Sequence, residues 1–466
     1  MRTALLIAWS LCCLGLGAQV DSVLFSPEQL GQWLQQHPIY QVAALQERET
    51  RMNRLRNKGQ FDPKVEFGLD KKEFDGKEYY DLQKYGLKVA TWPGIDLQAA
   101  LKENSGVYLD PQNNLPEGGV FELGADAQLL RGLLYDKRRA ALEQSRVFRM
   151  ANEAERRNML NELNASALSA YWQWAAAHAK YRFSKKGVGF AQLTFRLVKE
   201  SFTSGFASEL DTVEALSALL KRRMGLEKAR MELSKTRYQL SSFLWGPDQL
   251  PILLSDDAFP VDIRKRSVPL LLRDSLDRMI QVLPSTSPAL LAMQAKNADL
   301  MIQRKLALNN LLPEARLQYR WVTPQDQALD SENFEMGSNY RLGMGFSLPL
   351  FLRKERAYLE LNKIKRTEQV FKMAQKQNDL ANKLRGCYEA LQTYWRNSQT
   401  AQRATAQFQR LLEVEMRKSA MGESSLFRVN KRQDDLIKIG FDWVDNLKAY
   451  ELQRIELYRM SGQLTN

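Results

Sequence analysis

The residue types that most often do chemistry in proteins are scarce in this chain. Its 466 residues include two histidines, His37 and His178, and three cysteines. Metal sites and activated nucleophiles draw on clusters of histidine and cysteine, which so few residues cannot supply. Carboxylates are plentiful, but no pair of them stands apart from the surrounding helical pattern as an acid–base pair would. The sequence therefore predicts no catalytic residue, no metal and no cofactor, and we expect that the protein is not an enzyme.

The balance of charge is basic. The chain has 67 Lys and Arg against 54 Asp and Glu, which gives a formal charge of +13. Such an excess can indicate binding to nucleic acid or to anionic lipid. Here the basic residues are interspersed with acidic ones along helical faces, as is typical of solvated helix surface. With 44% hydrophobic and 26% charged residues, the composition predicts a packed structure and no nucleic-acid partner.

The first residues have the pattern of a secretory signal. Arg2 supplies a positive charge, residues 4–17 are apolar, and Ala18 is a small residue at the expected cleavage point. The pattern predicts a signal peptide over residues 1–18. Two of the three cysteines fall inside this segment, which leaves Cys387 without a partner for an internal disulfide. No other apolar run reaches the about 18 residues of a membrane helix, so any membrane span is expected to consist of strands.

The chain is organised as an internal duplication. Several residues recur at a constant offset of 217, as from Leu133 to Leu350. Farther upstream the offset is 250, as from Pro63 to Pro313, so the first copy holds 33 extra residues between Pro63 and Leu133. The predicted divisions are a first repeat over residues 19–246, a linker or equatorial region over 247–286, and a second repeat over 287–466.

Each repeat is predicted to contain a helix, a zone of strands and a long helical hairpin. The opening helices begin at Pro38 and Pro288, where the missing N–H of proline costs little. Apolar and polar residues then alternate with the period of two that is typical of strands. The predicted zones are strands within 63–131 and 313–350, and hairpins over 133–246 and 353–462. The 33 extra residues are interpreted as an added hairpin or as a large loop.

Each helical hairpin is broken once by a glycine. Gly205 and Gly422 accept the left-handed conformation that ends a helix, and the serines that follow them are suited to cap the next helix. A helix from Arg353 to Met421 would be about 100 Å long at 1.5 Å per residue. Because a helix of that length needs packing partners along its whole length, the sequence predicts a helical bundle.

The strands cannot be stable on their own. Strands of about 10 residues with aromatic residues near their ends suit a transmembrane barrel. An open sheet edge cannot face lipid, and four or six strands from one chain are too few to enclose a pore. We therefore predict a mixed, mostly α fold with internal duplication. Its long antiparallel helical hairpins contribute to an α-barrel, and its antiparallel strands contribute to a transmembrane β-barrel that several copies share.

In the order of its parts, the mature chain resembles the TolC-like outer-membrane efflux family (outer membrane factors). The resemblance rests on the repeat, on residues 343–351 leading into a helix, and on the two breaks at 205–211 and 422–426. It implies a homotrimer with a strand barrel in the outer-membrane lipid and a helical tunnel through the periplasm. It also implies a passive duct that docks, at its hairpin tips, with a periplasmic adaptor protein and an inner-membrane transporter.

The resemblance also implies where docking and gating occur. The tip residues that would contact the adaptor are Gly205, Ser208, Leu210, Gly422, Ser424, Ser425 and Leu426. The family has acidic gate residues six and nine positions after the second tip glycine, but this chain has Arg428 and Lys431 there, whereas the first tip has Asp211 and Glu214. Our hypothesis is that these opposite charges form ion pairs that close the tips; the alternative is ordinary solvated helix surface.

A second class of function is compatible with long helical hairpins. A periplasmic adaptor or a structural coiled-coil protein has such hairpins but no membrane barrel. The duplicated plan of strands followed by a hairpin favours the channel. The sequence does not indicate the transported substrate.

Overall fold

The computed structural model describes residues 24–266, 272–328 and 339–464. The predicted signal peptide, residues 1–18, lies outside the described residues. The strands are β1 (Leu24–Phe25), β2 (Lys64–Phe74), β3 (Lys77–Ala90), β4 (Ile95–Ser105), β5 (Val120–Gln128), β6 (Phe259–Pro260), β7 (Glu314–Pro324) and β8 (Tyr340–Ser347). The helices are α1 (Pro27–Leu34), α2 (Pro38–Lys58), α3 (Lys137–Thr203), α4 (Glu209–Ser241), α5 (Arg273–Thr286), α6 (Pro288–Asn309), α7 (Arg353–Ala420) and α8 (Leu426–Ser461).

Six of the strands form one antiparallel sheet. Their order is β2-β3-β4-β5-β7-β8, so each strand pairs with the next one along the chain within this group. Strands β2 and β8 are the two edges. The only other paired strands among the described residues are the two-residue β1 and β6, which lie parallel.

The sheet shows where the 33 extra residues of the first repeat go. Strand β2 spans 64–74 and β7 spans 314–324, which is the same segment at the offset of 250 residues. The hairpin β3–β4, residues 77–105, has no counterpart among the described residues of the second repeat and lies inside the region where the offset falls to 217. The extra residues therefore form an added hairpin and not a large loop.

The chain divides into two compact units. One comprises residues 1–44, 156–288 and 377–466, and the other comprises residues 45–155 and 289–376. This division follows packing, whereas the boundaries predicted from sequence follow the repeat and remain a prediction. Within the described residues, no helix is both long and apolar enough to cross a lipid bilayer.

The first unit has an aromatic core where α3 meets the segments around β1 and β6. Tyr171 and Trp174 are at most 1% exposed, so both side chains are part of the packed core. The Tyr171 hydroxyl donates to the carbonyl oxygen of Phe25 at 2.8 Å and accepts from the backbone N–H of Val261 at 3.1 Å. Burial raises the pKa of Tyr171 to about 12. The phenol therefore stays protonated and ties the chain before α1 to the segment between the repeats.

Helices α3 and α8 approach each other closely in the same unit. A Cβ at Gly440 would lie 2.8 Å from the ring of Phe183, and a Cβ at Gly187 would lie 2.5 Å from Ile437. Lys180 of α3 reaches Asp445 of α8 at 2.6 Å. The two glycines thus allow helices of different repeats to pack in direct contact. This contact fixes α3 and α8 relative to each other.

The second unit joins its helices through amide side chains. Asn57 of α2 donates to the carbonyl oxygen of Ala141 at 3.2 Å, and Gln144 of α3 donates to Asp299 of α6 at 2.8 Å. Asn362 of α7 donates to the carbonyl oxygen of Leu300 at 3.1 Å. Hydrogen bonds of this kind fix the axial position of one helix against another, which apolar packing alone does less specifically.

Candidate functional site

The two breaks in the helical hairpins have the same backbone turn. At the first tip, α3 ends at Thr203 and Gly205 has a φ of +79°. The N–H of Gly205 bonds the carbonyl oxygen of Phe202 at 3.0 Å, and the N–H of Phe206 bonds that of Ser201 at 2.8 Å. A bond that reaches back five residues past a left-handed glycine is the Schellman end of a helix.

The second tip repeats this geometry 217 residues later. Gly422 also has a φ of +79°. Its N–H bonds the carbonyl oxygen of Ser419 at 3.2 Å, and the N–H of Glu423 bonds that of Lys418 at 2.9 Å. A Cβ would meet nothing within 4 Å at either glycine. The glycines are therefore needed for their backbone conformation and not for space.

The helices that follow the two turns begin differently. At the first tip, the Asp211 N–H donates to Ser208 Oγ at 3.2 Å and the Ser208 N–H donates to Asp211 Oδ2 at 3.0 Å, which is a capping box. Donation to the Asp211 carboxylate from the Ser208 hydroxyl, at 2.7 Å, and from the Ser208 N–H holds the pKa of Asp211 below its usual value. At the second tip, Ser425 occupies the same position but its side chain makes no cap hydrogen bond.

A basic residue takes the place of the capping acid at the second tip. Arg428 is the third residue of α8, as Asp211 is of α4. A positive charge in the first turn opposes the helix dipole, whereas the carboxylate of Asp211 is favoured there. The first turn of α8 contains no acidic residue.

A carboxylate from the opposite arm compensates for this at the second tip. Glu415, on α7, accepts a hydrogen bond from Ser424 Oγ. The same carboxylate lies 3.9 Å from the guanidinium nitrogens of Arg428 and Arg432 on α8. The Glu415 side chain is only 13% exposed. The start of α8 is therefore held by a residue eleven positions earlier, on the other helix of the hairpin.

Both tips expose apolar side chains to solvent. Phe206 is 88% exposed and Leu210 is 74% exposed. Phe427, which corresponds to Leu210 at the offset of 217, is 68% exposed. Exposed apolar patches rimmed by polar residues are typical of protein–protein interaction sites.

The structure places the gate residues predicted from sequence in separate local pairs. Asp211 is engaged with Ser208, and Lys431 lies 3.0 Å from Asp435 within α8. Arg428 lies near Glu415, as described above. Within the described part of one chain, no ion pair joins Asp211 or Glu214 of the first tip to Arg428 or Lys431 of the second. The predicted pairing of Asp211 and Glu214 with Arg428 and Lys431 is thus left as a hypothesis about neighbouring copies.

Two features of the tips were missed by sequence reasoning. Glu415 carries no local signal, because it is one of several acidic residues along α7 and its role depends on which turn of α7 faces the start of α8. Phe427 could have been found, since the repeat aligns it with Leu210.

Comparison with known proteins finds a family model that matches part of the chain. Residues 92–245 match the family model described as outer membrane efflux protein. No curated protein matches the sequence closely enough to count as a relative.

Several solved structures share the fold over nearly the whole chain. The outer-membrane channel OprN is 16% identical, with a TM-score of 0.67, and the match covers 93% of this chain and 90% of that one. The CmeC outer membrane channel of Campylobacter jejuni is 14% identical, with a TM-score of 0.64 and coverage of 93% and 85%. The outer membrane protein VceC of Vibrio cholerae is 13% identical, with a TM-score of 0.64 and coverage of 93% and 96%. The predicted fold class is thereby confirmed.

The sequence match and the fold agree with each other. The match to the family model covers the second part of the first strand zone and the first helical hairpin. The match to solved structures extends the likeness to 93% of the chain. Residues 92–245 thus match the outer membrane efflux protein family, and the chain shares its fold with these outer-membrane channels over nearly its whole length.

Proposed function

We propose that the protein is the outer-membrane channel of a tripartite efflux or export system. In this role a homotrimer forms a passive duct across the periplasm and the outer membrane, and no step of its work requires catalysis. The two hairpin tips dock a periplasmic adaptor protein, which connects the duct to an inner-membrane transporter.

The observation that carries the docking proposal is the exposed apolar surface at both tips. Leu210 and Phe427 are related by the duplication, and these two side chains and Phe206 are each more than two-thirds exposed. They flank left-handed turns that hold the tip backbone in one shape before a partner arrives. A preformed apolar patch of this kind binds with less loss of conformational entropy than a flexible loop.

The alternative of an adaptor or a structural coiled-coil protein is not favoured. The described chain contains a six-stranded sheet with an apolar face, in addition to its helical hairpins. A coiled-coil protein without a membrane barrel has no need for such a sheet.

The docking proposal is tested by removing the apolar side chains. The variant Phe206→Ser/Leu210→Ser/Phe427→Ser is expressed in a strain that lacks the native gene, and antibiotic susceptibility is measured together with the amount of trimer in the outer membrane. We expect normal trimer and lost export. The control is Phe371→Ser on α7, which removes an apolar side chain of matched exposure, 69%, far along the chain from both tips. Normal export by the triple variant would reject docking through these side chains.

The gate hypothesis requires a separate measurement. In a closed state of this kind, Arg428 and Lys431 pair with the acidic residues of the other tip. To do so, they must leave Glu415 and Asp435, which are their partners within the chain. We expect Arg428→Ala and Lys431→Ala to raise single-channel conductance in planar bilayers if such a closed state exists. Unchanged conductance in both variants would favour solvated helix surface and remove the gate.

A further inference from the structure

The six strands of the large sheet share one apolar face and one polar face. Their registers place the odd-numbered residues of β2, β3, β4, β5 and β7 on the same side as the even-numbered residues of β8. Exposed members of this side are Val65, Phe67, Leu69, Tyr85, Leu87, Leu97, Leu123, Tyr340, Leu342, Met344 and Phe346. Toward the turn between β2 and β3 this side also carries Lys71, Asp81, Gln83 and Glu103, and the register of β2 against β3 shifts between Lys72 and Glu73. Over the rest of the six strands the apolar side runs from one edge of the sheet to the other.

The opposite side of the sheet carries charge. Lys102 of β4 reaches Glu122 of β5 at 2.6 Å, and Arg320 of β7 reaches Asp126 of β5 at 2.5 Å. Gln98 of β4 donates to Asp126 at 2.8 Å and accepts from Arg320 at 3.0 Å. These contacts join the added hairpin to β5 and β7 across the polar side, so the hairpin is an integral part of the sheet.

The added hairpin widens the sheet without changing the directions of the other strands. Because it contributes two strands, an even number, β2 and β5 keep opposite directions and each keeps its apolar residues on the same side. The edges β2 and β8 likewise remain antiparallel to each other, so β8 of one copy can pair with β2 of the next. Their apolar side chains are highly exposed, 85% for Val65 and 80% for Met344.

We propose that three copies of this chain close a wall of eighteen strands, six from each copy, with the charged side facing an aqueous lumen. This inference rests on the proposed function, since it takes the trimeric channel as given. Without β3 and β4 the same trimer would have twelve strands. Barrels of 16–18 strands leave an aqueous channel, and their diameter grows roughly linearly with strand number. The added hairpin thus indicates a membrane passage suited to larger hydrated solutes than the duplicated unit alone would pass.

The proposal is tested by deleting residues 77–105. The readout is the exclusion of polyethylene glycols of graded size, added from the extracellular side of a planar bilayer, because this reports the barrel and not the periplasmic tips. The cross-section of a barrel scales roughly with the square of its strand count, so twelve strands give roughly half the area of eighteen. We expect the native trimer to admit polymers that the deletion variant excludes. Equal exclusion limits, or an assembly of two copies, would overturn the proposal.

A second measurement covers the case in which the deletion variant does not fold. Pairs of cysteines are introduced in the Cys387→Ser background. The edge pair is Phe67→Cys on β2 with Met344→Cys on β8. The control pair is Leu97→Cys with Met344→Cys, in which β4 lies inside the sheet. Closure through β2 and β8 predicts disulfide-linked trimers from the edge pair and monomers from the control. Crosslinking through Leu97 instead would overturn the proposal, whereas the absence of any trimer or channel would count against the proposed function itself.

Discussion

The two hairpin tips share a backbone turn but differ in the side chains that support it. At the first tip, Ser208 and Asp211 cap α4 through bonds that span three residues. At the second tip, Ser425 makes no such bond and the start of α8 depends on Glu415 of the opposite arm. One turn is therefore held by its own sequence, and the other by contact between two helices.

This difference has a physical origin in one substitution between the repeats. A carboxylate at the third position of a helix satisfies backbone N–H groups and favours the helix dipole. An arginine at that position can do neither, so the turn needs a negative charge from elsewhere. Glu415 supplies it, and in doing so makes the second tip sensitive to any movement of α7 against α8.

The strongest test of the comparison removes that charge. Glu415→Gln keeps the shape of the side chain but removes the carboxylate near Arg428 and one of the two carboxylates near Arg432. Hydrogen bonds to charged groups contribute about 1.5–3 kcal/mol, so we expect amide exchange at residues 422–430 to accelerate about tenfold or more, at 1.4 kcal/mol for each factor of ten. Hydrogen exchange with mass spectrometry measures this, with residues 205–213 as an internal reference.

A matched control separates the role of this carboxylate from a general loss of charge. Glu413→Gln makes the same change two residues away, where the side chain accepts a hydrogen bond from Gln409 on its own helix. Faster exchange at the second tip in both variants would show that Glu415 has no special place in the turn.

The next test concerns what the tips have in common. Gly205→Ala and Gly422→Ala each force a Cβ into a left-handed backbone, which costs about 1–2 kcal/mol. Because φ is +79° at both glycines and neither site is crowded, we expect the two variants to accelerate local amide exchange by similar factors. A much larger effect at one tip would mean that the shared turn does not have the same energetics in the two repeats.

Sequence reasoning found the parts of the tips that depend on short spacings. Glycine followed by serine within a few residues identifies a helix end and a new start wherever it occurs, so both turns and Ser208 could be predicted. Glu415 could not be predicted, because its contact depends on which turns of α7 and α8 face each other. In the sheet, the alternating pattern predicted the strands. It did not distinguish an added hairpin from a loop, because that choice depends on the pairing of β3 and β4 with β2 and β5.

A smaller effect is expected from the capping serines. Ser208→Ala removes the acceptor of the Asp211 N–H and costs about 1 kcal/mol. Ser425→Ala removes a hydroxyl that makes no cap hydrogen bond and should change stability by a few tenths of a kcal/mol at most. Local exchange at the start of α4 and of α8 is the measurement. Equal losses would mean that the second tip uses its serine as a cap in solution.

The smallest and most specific effect is expected when the second tip is given the capping arrangement of the first. In Glu415→Gln/Arg428→Asp, the opposite-arm carboxylate is gone and a carboxylate stands three residues after Ser425. A capping box can then form within α8, and the new charge is favoured by the helix dipole, which contributes about 0.3–1 kcal/mol. We expect the double variant to exchange more slowly at residues 422–430 than Glu415→Gln alone. Arg428→Asp with Glu415 retained should not gain this protection, since two carboxylates then face each other across the hairpin. Recovery in the double variant alone would mean that the backbone of the second turn accepts either support, and that the choice between them was fixed by the residue at position 428.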